Sequence, residues 1–207
     1  MIPHVKICGI TNLEDALFCA HAGADSLGFI FYKKSPRFIE PAEAARIIGE
    51  LPAYITPVGV FVNEHRSGIE RAVRETGIRI IQLSGNEFPD QCQGYAVKVW
   101  KAFRIRDLDA VETVKPYTIS AALLDGATGD TFGGSGTLPD FSIACEVKEY
   151  HPIILAGGLN PENILGAIQA VEPFGVDVCS GVESLPGKKN HDQVKLLFER
   201  LQRLRNQ

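Results

Sequence analysis

Val58-Gly59-Val60-Phe61-Val62 is apolar at every position that carries a side chain. Side chains alternate between the two faces of a strand, so Val58, Val60 and Val62 share one face and Phe61 takes the other. A strand that is apolar on both faces is buried on both, as in parallel sheets covered by helices. Seven more short apolar runs flank this one. Together they predict eight strands, at 4–8, 25–31, 55–62, 79–83, 97–103, 119–125, 152–156 and 175–179.

Between the runs, apolar residues recur at helical spacing. Leu13, Ala16, Leu17 and Ala20 mark a first helix, and Ala44, Ile47, Ile48 and Leu51 a second. Ile164, Ala167, Ile168 and Val171 mark a later one, and Val194, Leu197, Phe198, Leu201 and Leu204 the last. Asn12, Asn63 and Asn160 read as helix starts, Gly23 and Gly77 as helix stops. Strands that each precede a helix, or room for one, predict an α/β fold. The expected form is a single (β/α)8 TIM barrel over 1–207, a short version with minimal helices. The stretch 85–94 leaves space for barely two turns. A doubly wound open sheet is the alternative.

Composition narrows the function classes. The chain has 207 residues, 45% hydrophobic and 22% charged, which is ordinary for a globular domain. A net charge of −4 with scattered basic residues argues against nucleic acid as a partner. Arg200 to Arg205 reads as the wet face of a helix. No apolar stretch approaches the ~20 residues of a membrane span. His4, Lys6 and Asn12 interrupt any signal-peptide core, so a cytoplasmic location is expected. Cys8, Cys19, Cys92, Cys145 and Cys179 fit neither a disulfide framework nor a zinc site, and reduced thiols and no metal are expected. A monomer and a homodimer are both open.

In a barrel, ligands gather at the carboxyl ends of the strands. Lys6-Ile7-Cys8-Gly9-Ile10-Thr11 puts a thiol there on the first strand, and Leu123-Leu124-Asp125-Gly126 puts a carboxyl there on the sixth. Alternation sends Lys6 and Cys8 inward, along with Leu123 and Asp125, and Asp177 and Cys179. Lys6 would lie one layer below Cys8, where a cation favours the thiolate. Strands one and eight adjoin in a closed barrel, so Lys6 and Asp177 are expected to pair.

Glycine turns follow the last three strands: Gly133-Gly134-Ser135-Gly136, Ala156-Gly157-Gly158 and Ser180-Gly181. Such turns let backbone N–H groups approach an anion, and barrels often hold phosphate after strands seven and eight. Ser35-Pro36-Arg37 offers a guanidinium for a carboxylate, and Phe31 and Phe38 are candidates to flank an aromatic ligand or to fill core. The long loop 126–139 reads as an active-site loop.

Taken in order, these segments resemble the phosphoribosylanthranilate isomerases of tryptophan biosynthesis. Besides the opening motif, Gly28-Phe29-Ile30-Phe31, Val60-Phe61-Val62-Asn63, Ile81-Gln82-Leu83, Leu155-Ala156-Gly157-Gly158-Leu159, Asp177 through Glu183 and Pro186-Gly187-Lys188-Lys189 carry the likeness. The resemblance implies catalysis without a cofactor on a small phosphosugar, by an Amadori rearrangement of aminoaldose to aminoketose. It implies Asp125 as the general acid that opens the furanose ring and Cys8 as the base that takes the C2′ proton. Arg37 would hold the anthranilate carboxylate, with Gly134, Gly157, Gly158, Asp177, Ser180 and Gly181 binding the rest of the substrate.

Two positions depart from the family. Ser84 stands where a histidine is common, which shifts weight to Cys8, and Ser135 replaces a threonine in the glycine loop. Another phosphosugar barrel enzyme and a non-catalytic phosphate-binding barrel are the competing readings. A related isomerase that also serves a histidine-pathway substrate would use two aspartates, and Cys8 speaks against it.

Overall fold

A computed structural model describes residues 3–104, 109–126 and 139–205. Eight parallel strands close into a barrel in chain order. They are β1 (His4–Cys8), β2 (Ser26–Ile30), β3 (Thr56–Phe61), β4 (Ile80–Leu83), β5 (Lys98–Arg104), β6 (Ala121–Asp125), β7 (Ile153–Ala156) and β8 (Gly175–Val178). Closure comes from β8 beside β1, with Lys6 opposite Asp177 and Ile7 opposite Val178. That pairing excludes the open sheet.

Seven helices lie among the described residues: α1 (Leu13–Ala22), α2 (Pro41–Gly49), α3 (Arg66–Thr76), α4 (Asp109–Val114), α5 (Phe141–Lys148), α6 (Ile164–Val171) and α7 (His191–Gln202). After β4 there is only a 3-10 turn, Pro89–Cys92, in keeping with the short stretch there. Between β8 and α7 a hairpin of β9 (Glu183–Leu185) and β10 (Lys188–Lys189) interrupts the alternation, which the sequence reading did not anticipate. None of the described helices is long and apolar enough to cross a membrane.

The period-2 pattern sorts the core into two shells. Val5, Ile7, Leu27, Phe29, Ala122, Leu124, Val176 and Val178 pack outward against the helices. Val58, Ile80, Trp100, Leu123, Ile154 and Ala156 fill the barrel interior. Gly28 is required where it stands. A Cβ there would come within 2.7 Å of the Cys8 sulfur and 3.1 Å of Lys6 Cε, so only glycine leaves room for both inward side chains.

Most punctuation follows the residue chemistry. Asn12 accepts from the Asp15 N–H and caps α1, while Gly23 and Gly77 end α1 and α3 at positive φ of 122° and 74°. Asn160 accepts from the N–H groups of Glu162 and Asn163 ahead of α6. Asn63 does something else. It sits at φ 51° and its side-chain oxygen accepts from the Asn86 N–H, so it staples two loops and α3 begins later, at Arg66.

The face of α1 also differs from the apolar stripe. Leu13 is 39% exposed, whereas Asp15 and Cys19 are buried. Asp15 turns inward because its carboxylate is satisfied there. It accepts from the Lys189 N–H at 2.8 Å, from His191 at 2.8 Å and from Asn12 at 2.8 Å.

Candidate active site

The strand ends line a cavity of about 940 Å³, counting the space open at its mouth. Its size suits a small organic ligand. Cys8 from β1, Asp125 from β6, Asp177 from β8 and Arg37 from the loop after β2 all line it, as do Gly157, Gly158 and Ser180. Gly134 lies outside the described residues, as does nearly all of the loop 126–139.

Cys8 is the last residue of β1 and is 5% exposed. Beneath it, Lys6 is fully buried and its ammonium donates to Asp177 Oδ2 at 2.8 Å, so the pairing expected from strand parity is present. Burial opposes the Lys6 charge, but the Asp177 carboxylate and Cys8 outweigh it and hold the amine charged, above the usual lysine value. Cys179 follows Val178, the partner of Ile7, and so lies beside Cys8 across the closing seam.

The two thiols are unequal. The neighbouring Cys179 thiol favours the Cys8 thiolate; burial opposes it and the Lys6 ammonium helps again, which brings Cys8 down to about 7. Cys179 is pushed well above the ordinary thiol value, because its proton is held by Cys8 and it is itself buried. A thiolate is therefore within reach on β1 near neutral pH. Among the described residues, the Oδ1 of Asp177 is buried without a hydrogen-bond partner at the edge of the same cavity.

The turns after β7 and β8 are packed together. Gly157 and Gly158 have positive φ of 81° and 61°, which other residues adopt only with strain. A Cβ on Gly181 would meet the Leu159 carbonyl oxygen at 2.0 Å. Glycine at these three places lets the two turns share one rim.

Arg37 already grips a carboxylate, that of Glu183. Its Nε lies 3.0 Å from both Glu183 oxygens and its Nη2 lies 2.7 Å from Oε2. Glu183 and Lys189 belong to segments that carried the family likeness, but no role was read for either. Phe31 packs on Phe61, with ring centres 5.3 Å apart, and belongs to the shell behind the barrel. Neither Phe31 nor Phe38 lines the cavity; Tyr32 does. Ser84, at the family's histidine position, lines it as well and accepts from Gln82 Nε2 at 3.1 Å.

Comparison with known proteins shows the family. Residues 5–200 match the family model for N-(5'phosphoribosyl)anthranilate (PRA) isomerase. The N-(5'-phosphoribosyl)anthranilate isomerase of Trichlorobacter lovleyi is 48% identical over 92% of this chain and 94% of its own. A solved phosphoribosyl anthranilate isomerase in complex with reduced 1-(o-carboxyphenylamino)-1-deoxyribulose 5-phosphate superposes with a TM-score of 0.86 at 40% identity, covering 98% of this chain and 99% of that one. Monomers generated from the dimeric enzyme of Thermotoga maritima superpose at 0.84 and 41% identity, with the same coverage. The chain belongs to the N-(5'-phosphoribosyl)anthranilate isomerase family, the isomerases of tryptophan biosynthesis.

Proposed function

We propose that the chain converts N-(5'-phosphoribosyl)anthranilate into 1-(2-carboxyphenylamino)-1-deoxyribulose 5-phosphate, with Asp125 as general acid and Cys8 as general base. Asp125 protonates the furanose ring oxygen, and the ring opens to a Schiff base. The Cys8 thiolate removes the C2′ proton, and the resulting enolamine tautomerises to the ketone. Each positioned acid or base contributes ~10²–10⁴-fold.

The observation that carries this reading is a thiol brought down to about 7 in a cavity that it shares with a carboxyl group from β6. Arg37 holds the anthranilate carboxylate. Gly157, Gly158, Ser180 and Gly181 hold the phosphate, and Gly134 is assigned to the same task by the family likeness. Asp177 serves in two ways: one oxygen fixes Lys6 under the base, and the other accepts from a substrate hydroxyl. Phosphate binding remote from C2′ supplies orientation.

The test is conversion itself. Incubation of the purified protein with freshly made N-(5'-phosphoribosyl)anthranilate should yield the aminoketose, identified by chromatography against the synthetic compound. A protein that binds the substrate and leaves it unchanged would contradict the reading.

A further inference from the structure

The hairpin β9–β10 carries two buried charges that the reaction above does not use. Glu183 and Lys189 have side chains 4% and 0% exposed, and their charged groups lie 2.9 Å apart. Two charges taken out of water need strong compensation to be kept there. Here the compensation runs directly to the site. Glu183 forks onto Arg37 through Nε and Nη2, and the Lys189 ammonium also donates to the carbonyl oxygen of Cys8 at 2.5 Å. The hairpin is tied down in turn, by the Lys189 N–H on Asp15 and by the Thr11 hydroxyl on the Gly187 carbonyl.

One carboxylate stands between a guanidinium and an ammonium, and of the three residues Arg37 lines the cavity. Burial opposes the Glu183 charge, but the two cations outweigh it and hold its carboxyl below the usual range, so it stays ionised near neutral pH. The fork takes up Nε and Nη2 of Arg37, and among the described residues Nη1 has no hydrogen bond, which leaves it for a ligand. Gly9 completes the packing, since a Cβ there would come within 2.8 Å of Arg37 Cδ and 3.4 Å of Glu183 Oε1.

We infer that Glu183, braced by Lys189, is the positioning residue that presents Arg37 to the carboxylate of the substrate. This rests on the isomerase reading above. A guanidinium on a flexible stem would otherwise have to be ordered by each incoming ligand, and that ordering weakens binding. The Arg37 guanidinium, held in place, gives the incoming carboxylate its counter-charge. Glu183 acts through Arg37 and does not meet the reacting atoms.

Steady-state kinetics on N-(5'-phosphoribosyl)anthranilate test this. Turnover by the unaltered protein checks the isomerase reading first, and the variants are then measured against it. Glu183→Gln is expected to raise KM by about tenfold or more while kcat stays within about threefold, the pattern of lost uniform binding. Inhibition by inorganic phosphate should be unchanged. In an Arg37→Gln background the same substitution should add nothing, because two groups that act as one unit are not additive. An unchanged KM in Glu183→Gln, or an equal effect with and without Arg37, would overturn the inference.

A second measurement needs no variant. In a crystal structure of the unaltered protein with reduced 1-(o-carboxyphenylamino)-1-deoxyribulose 5-phosphate, Arg37 should keep its fork on Glu183 while touching the ligand carboxylate. An Arg37 that leaves Glu183 on binding would refute the positioning role.

Discussion

The ammonium of Lys6 lies 2.8 Å from Asp177 Oδ2, both are buried, and the pair forms the floor directly beneath Cys8. It spans the seam where β1 meets β8, so one contact both ties the closing strands together and sets the charge under the Cys8 thiol. Lys6→Met removes the cation and leaves a buried carboxylate alone. That should cost about 3–5 kcal/mol in urea unfolding, and the Cys8 thiol should titrate higher. The rate of iodoacetamide alkylation against pH reads the second effect.

The acidity of Cys8 predicts a pH profile. Below pH 7 the thiol keeps its proton and cannot accept another; above it the thiolate accumulates. The ratio kcat/KM should therefore rise with pH on its acid side, with a midpoint near the value of about 7. Cys179→Ala removes the neighbouring thiol that favours the thiolate, and the midpoint should move to higher pH. A profile that ignores both changes would deny Cys8 the role of base.

Gly28→Ala tests the close approach on the inner wall. The added methyl would fall 2.7 Å from the Cys8 sulfur. Overpacking of this kind costs about 1–3 kcal/mol. Displacement of the proposed base should also lower kcat more than it raises KM, because the rim proposed to hold the phosphate lies after β7 and β8. Unaltered kcat in a folded variant would show that the sulfur tolerates the shift.

The parts visible in the sequence are those governed by local periodicity. Inward and outward faces follow from alternation along a single strand, so Lys6, Cys8, Leu123, Asp125 and Asp177 could be assigned without a structure. Glycine stops were equally plain at Gly23 and Gly77. Glu183 was not, because its partner Arg37 lies 146 residues away and no local pattern joins them. Asp15 was missed because a count of apolar positions on a helix passes over a buried carboxylate whose partners lie on another element. Asn63 misled because asparagine suits both a helix cap and a left-handed loop position, and only the contact with Asn86 decides between them.

The most direct measurement is the depletion of N-(5'-phosphoribosyl)anthranilate by the unaltered protein, by Cys8→Ala and by Asp125→Asn at equal concentration. Each substitution should lower kcat by ~10²–10⁴-fold, with binding of the reduced product analogue nearly retained. Near-normal turnover in either folded variant would contradict the pairing of thiolate base and carboxylic acid across the barrel mouth.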